Sequence, residues 1–183
     1  GSNVTGAMLR NTPGFAERGV RVNVEADSLN AVVIGADVER GSELWNTAVR
    51  HVVTDMTQKT GQKCTAIRRA LVPKGLVDDF EEALTEALDA HVVGNPLAES
   101  VTVGPLSTAA QLRDVLAGVA RVAEGARLVR GGPARVDGEG SEAGRGYFLA
   151  PTVIRHPGAG AGPVHEVEVF GPCVSNHAQV RSP

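Results

Sequence analysis

At 183 residues, 42% hydrophobic and 21% charged, the chain can bury a full core, and its two cysteines, Cys64 and Cys173, do not make a disulfide framework. The formal net charge of −3, with acids and bases mixed and no basic stripe interleaved with aromatics, argues against a nucleic-acid partner. No apolar run approaches bilayer length and no signal-peptide pattern precedes the first helix pattern, so a cytoplasmic, reducing setting with no membrane partner is expected.

The chain opens on Gly1-Ser2 without an initiator Met, which fits either a tag scar or the interior of a longer reading frame. Val4 to Leu9 is helix-compatible and is broken by Pro13-Gly14. Val20, Val22 and Val24 alternate with Arg21 and Asn23, the period of a strand, and Ala31 to Ile34 has the unbroken apolar run of a buried strand closed by Gly35. From Ser42 to about Thr60 the apolar residues Leu44, Trp45, Ala48, Val49, Val52, Val53 and Met56 fall on one helical face, with Gly61 placed to cap it. Ala66 to Val72 reads as a strand ending at Pro73, and Leu76 to Ala90 as a helix. Gly94-Asn95-Pro96 and Gly104-Pro105 punctuate a loop before a helix that Ser107 would cap and that runs to about Glu124. Ala126 to Val129 is a short strand candidate, residues 134–146 are loop-like, and Tyr147 to Ile154 is strand-like but interrupted by Pro151. Gly158 to Pro163 reads as a flexible link. Strands alternating with helices predict an α/β layered domain with a largely parallel sheet flanked by helices.

Cys64 stands in Gly61-Gln62-Lys63-Cys64-Thr65, between a helix end and a strand. Such a turn can present sulfur to a cleft, Lys63 would favour the thiolate, and turn N–H groups can face a developing oxyanion. The alternative is a buried structural cysteine. Glu25, directly after the Val20–Val24 alternation, is placed at the C-terminal edge of a sheet, where a carboxylate can act as general base. A solvated loop carboxylate is the competing reading. Gly1-Ser2 before a short helix can cradle a phosphate, and Glu168-Val169-Phe170-Gly171-Pro172 can be a strand ending in a turn. His51, His91, His156, His165 and His177 are scattered, without a pairing motif, and are expected in loops or at the surface.

Taken in order, these pieces resemble the aldehyde dehydrogenase superfamily: Gly-Ser at the cofactor phosphate, a base Glu, Gly-Gln-x-Cys at the nucleophile and Glu-x-Phe-Gly-Pro at the nicotinamide ribose. Gly94-Asn95-Pro96, Gly104-Pro105-Leu106 and Gly146-Tyr147-Phe148 with Pro151-Thr152 match secondary landmarks. The resemblance covers residues 1–172, a partial catalytic domain, and leaves 173–183 as a tail in which no family pattern is visible. Glu25-Ala26-Asp27-Ser28-Leu29-Asn30 departs from the commoner Glu-Leu-Gly-Gly-Lys-Ser. It and Gly61 to Arg69 are similar to the dehydrogenase domains of phenylacetate- and benzoyl-CoA-degradation enzymes, which oxidise semialdehydes carried on coenzyme A.

The resemblance implies NADP or NAD as cofactor, Cys64 as nucleophile and Glu25 as base. It also implies Gly1 and Ser2 at the pyrophosphate, Glu168 at the ribose and Phe170 limiting nicotinamide placement. It implies a homo-oligomer acting on a small-molecule aldehyde, with no metal. The family's oxyanion Asn and most of its cofactor domain lie ahead of the Gly-Ser, so this piece alone is expected not to oxidise aldehydes. Two other readings stand beside this one: an inactive fold fragment, and a different thiol enzyme pairing Cys64 with a histidine.

Overall fold

The computed structural model describes residues 1–158, 160 and 162–179. Ser2 accepts from the Thr5 amide and starts α1 (Asn3–Arg10). A run of turns over residues 13–19 and then an unpaired passage lead to β1 (Asn30–Val33). Ser42 caps α2 (Glu43–Thr57) by accepting from the Trp45 amide at 3.2 Å, and Glu43 adds a favourable negative charge to its first turn. A short 3-10 turn, Gln58–Gly61, leads to β2 (Ile67–Pro73) and α3 (Val77–Asp89). α4 (Ala109–Val122) is capped by Thr108 rather than Ser107. β3 (Arg127–Arg130), β4 (Thr152–His156), a 3-10 turn at Pro163–His165 and β5 (Cys173–Gln179) complete the described chain.

The five strands form one sheet in the order β1-β2-β5-β4-β3, parallel throughout except for the antiparallel β3–β4 pair. The largely parallel sheet predicted from the alternation of elements is therefore present. Side-chain alternation divides the core between the two faces. Ala70 and Val72 of β2, Val153 of β4 and Val174 of β5 join Trp45, Met56, Phe80 and Leu84 beneath α2 and α3. Ile154 and Cys173 join Val115, Val119, Val122 and Leu149 beneath α4. Trp45 meets Phe80 edge-to-face with ring centroids 5.4 Å apart, which locks α2 against α3.

Three expectations are corrected. Val20–Val24 does not enter the sheet: the passage is extended but unpaired, and Val24 lies so close over Gly6 of α1 that a Cβ there would come within 2.6 Å of its methyl. Period-two alternation reports side chains that share a face, and here α1 covers that face at Val24 while Val20 stays exposed. The boundary after Pro172 is not an edge of the fold either, because Cys173–Gln179 form the middle strand; Val180 to Pro183 lie outside the described residues. Third, His156 and His177 are buried and stacked with centroids 5.0 Å apart, and His165 lies 5.5 Å from His177. They form a cluster under the sheet, not scattered surface residues. The link predicted at Gly158–Pro163 falls partly on Ala159 and Ala161, outside the described residues.

Candidate active site

Parallel strands bring their entry loops to one edge, and the site grows from this. Glu25 lies a few residues ahead of β1, Cys64 just ahead of β2, and Glu168 and Phe170 just ahead of β5. These strands are adjacent and parallel, so the loops meet at the N-terminal edge of the sheet. The shared edge was expected but its polarity was not: with Val20–Val24 outside the sheet, Glu25 precedes a strand instead of ending one. The loops and the start of α1 surround a cavity of about 840 Å³ lined by Gly1, Ser2, Glu25, Cys64, Glu168 and Phe170. Gln111, Asp114 and Val115 of α4 close one wall. All six residues singled out in the sequence thus share one cavity.

The Cys64 loop is held from several sides. Lys59 and Thr60 adopt positive φ of 53° and 54°, followed by Gly61 at 71°. Such a backbone needs external anchors. The Thr60 hydroxyl donates to the Gly104 carbonyl at 3.0 Å, and Gln62 bridges to Gln111 and to the Ser107 amide, each at 3.0 Å. From β1, Asn30 Nδ2 donates to the Cys64 carbonyl at 2.7 Å and to that of Ala66 at 3.2 Å. The Cys64 thiol is exposed, and among the described residues its amide N–H has no hydrogen-bond acceptor. Lys63, expected to favour the thiolate, is committed elsewhere: its ammonium pairs with Asp55 at 2.6 Å and donates to Gln58 at 2.9 Å.

Glu25 is exposed in the same cavity, with Asn23 Nδ2 donating to it at 3.5 Å. Glu168 is different. Burial pushes its carboxyl above the ordinary range, Asp27 adds to the rise, and the Arg68 guanidinium, 3.7 Å from Oε1, opposes it. Its Oε1 is buried and takes no hydrogen bond among the described residues, and the residue itself lines the cavity. Asp27 occupies a left-handed conformation at φ 53°, which Asp tolerates better than most residues.

Arg68 and Asn30 were missed in the sequence, and Gln62 was read there only as part of the Gly-Gln-x-Cys motif, without its anchoring contacts. Arg68 had a signal: it stands at an inward position of β2 in register with Ala70 and Val72, where an apolar side chain is the rule. Asn30 acts through loop carbonyls, for which no pattern in the chain stands out.

The sequence profile described as the aldehyde dehydrogenase family matches residues 1–177. The chain is 40% identical over 173 residues to 3,4-dehydroadipyl-CoA semialdehyde dehydrogenase of Aromatoleum evansii, covering 94% of this chain and 34% of that protein. It is 33% identical to 3-succinoylsemialdehyde-pyridine dehydrogenase of a Pseudomonas species, with the same coverage. Its fold matches aldehyde dehydrogenase C of Pseudomonas syringae, a Cys-to-Ala mutant solved with NAD+ and octanal, at a TM-score of 0.76 and 26% identity, covering 97% of this chain and 34% of that one. The chain belongs to the aldehyde dehydrogenase family. It spans about a third of the length of the curated relatives it matches.

Proposed function

We propose that this chain carries the thiol-and-carboxylate centre of an NAD(P)-dependent aldehyde dehydrogenase acting on a semialdehyde, the coenzyme A-linked class being favoured by the 40% identical relative. The observation that carries this is the single cavity lined by an exposed Cys64, an exposed Glu25 and Glu168.

The Cys64 thiolate would add to the aldehyde carbon, forming the S–C bond as the carbonyl π pair moves to oxygen. The Cys64 N–H faces the resulting oxyanion. When bound, the dinucleotide would supply the acceptor for the hydrogen and electron pair leaving that carbon, so that a thioester remains on Cys64. Glu25 would then take a proton from water as its oxygen attacks the thioester carbon, and the Cys64–C bond breaks to release the acid and the thiolate. The residues suit the cofactor: Glu168 offers a carboxylate for a ribose hydroxyl, Phe170 a flat apolar face, and Gly1-Ser2 a helix start near its phosphates.

Against the reading of a cysteine–histidine acyl enzyme, no histidine lines this cavity among the described residues. The test is a pair of variants in the protein that carries this chain. Cys64→Ala should abolish aldehyde oxidation, and Glu25→Gln should leave a first-turnover burst of NAD(P)H while slowing steady turnover by about 100-fold or more. A burst lost together with turnover in Glu25→Gln would reassign Glu25. The 183-residue chain by itself should hydrolyse activated esters through Cys64 yet fail to oxidise aldehydes.

A further inference from the structure

One buried side chain touches both loops of the site without lining its cavity. The Arg68 guanidinium donates through Nη1 to the Gly171 carbonyl at 2.8 Å, and through Nη2 to the carbonyls of Gly61 at 2.9 Å and Lys63 at 3.1 Å. It lies 3.7 Å from Glu168 Oε1, and its carbon sits 5.6 Å from the centroid of the Phe170 ring. Its acceptors therefore lie just ahead of Cys64 on one side and belong to the Glu168–Gly171 passage on the other. Gly61 and Gly171 are already so close that a Cβ on Gly61 would lie 2.2 Å from the Gly171 oxygen.

Resting on the function proposed above, we propose that Arg68 is a positioning residue that fixes the register between the Cys64 loop and the Glu168–Phe170 loop, so that thiol, carboxylate and ring present one face to a dinucleotide. Core filling does not account for it: an apolar residue of similar volume would avoid the loss of hydration that a buried cation suffers, and such replacements are often neutral or stabilising. Only a planar fork reaches three carbonyls on two loops while leaving its face to an aromatic ring. The same cation is the nearest opposite charge to Glu168. The other ionisable groups facing that carboxyl around the cavity are Asp27 and Glu25 from the passage ahead of β1, Asp114 from α4, and Cys64.

Arg68→Lys and Arg68→Met, made in the protein that carries this chain, separate the two duties. In Arg68→Lys, amide hydrogen exchange should quicken about tenfold or more at Gln62 and Lys63 and equally at Gly171 and Cys173, with β4 unchanged. Its KM for the dinucleotide should rise about tenfold with the acid limb of the pH profile unmoved. Arg68→Met should show the same rise in KM, and its acid limb should shift to higher pH because Glu168 has lost its cation. Exchange that quickens in one loop only, or uniformly through the sheet, overturns the bridging role, and an Arg68→Met acid limb at the wild-type position overturns the charge contact with Glu168. If Arg68→Met does not fold, the exchange and KM of Arg68→Lys decide alone. A wild-type protein without NAD(P)-dependent oxidation would sink the function proposed above, while the exchange result would still judge Arg68.

Discussion

Cys64 and Cys173 carry the same thiol in opposite surroundings. Cys173 is wholly buried beneath α4, and that burial, only partly offset by Arg68, pushes its thiol up to about 12. Cys64 lies open at the cavity. Iodoacetamide at neutral pH should therefore modify Cys64 at least about 100-fold faster in folded protein, with the ratio collapsing in denaturant, as peptide mapping would show. Preferential labelling of Cys173 would contradict the assignment. At this scale the sequence was informative where chemistry depends on residue type: a cysteine in a Gly-Gln-Lys-Cys turn and a glutamate beside a strand-like run are visible as letters. Arg68 was legible only through its parity with Ala70 and Val72, and the diversion of Lys63 to Asp55 was not legible, because it depends on a neighbour from the preceding helix.

At the scale of elements, the turn between α2 and β2 is the most constrained. Gly61 combines a φ of 71° with the Gly171 carbonyl where its Cβ would stand, whereas Gly125 has a φ of 68° and nothing within 4 Å. Gly61→Ala should cost about 2–3 kcal/mol or more and depress Cys64 reactivity, and Gly125→Ala should cost only about 1 kcal/mol, the backbone strain by itself. Equal losses in denaturant titrations of the two variants would show that close approach is not what demands glycine. Helices α2, α3 and α4 and strands β1 and β2 were readable within a few residues, because each has a continuous apolar face set by its own period. Val20–Val24 was misread since alternation does not say what covers the face. β5 was passed over because its middle is Ser175-Asn176-His177, polar residues that only the assembled sheet explains: Ser175 Oγ donates to the Arg68 carbonyl at 3.2 Å, and His177 Nε2 meets Ser175 Oγ at 2.9 Å.

For the whole molecule, these buried polar groups couple stability to pH. Burial lowers His177 to about 4, helped by His156, His165 and Arg69 and opposed by the Gly158 carbonyl; burial lowers His156 as well. A histidine depressed in the folded state favours folding fully above its unfolded value near 6.5, and that contribution is lost as pH falls from there toward about 4. Between about pH 6.5 and 5, His177 should account for up to about 2 kcal/mol of lost stability. Denaturant midpoints measured across that range should fall steeply in the wild type and less steeply in His177→Leu, whatever the absolute stability of the variant; parallel slopes would clear His177 of the effect. A chain ending at Pro172, where the sequence suggested a boundary, should fail to fold cooperatively, since it lacks the strand that hydrogen-bonds both β2 and β4. A cooperative melt from that truncation would show that the sheet closes without it.

That the middle strand is also the last of the five in chain order has a consequence for how the protein is made. The β1–β2 pair and the β3–β4 pair can each form as soon as they are synthesised, but they have no common seam until Cys173–Gln179 arrives between them. Insertion into a sheet flanked on both sides is a long-range event and therefore slow. Until it happens, the facing edges of β2 and β4 offer unpaired backbone to any extended segment nearby. On the ribosome, this stretch of chain would wait as two half-sheets with open inner edges, the stage at which a chaperone or an unwanted neighbour would most readily bind it.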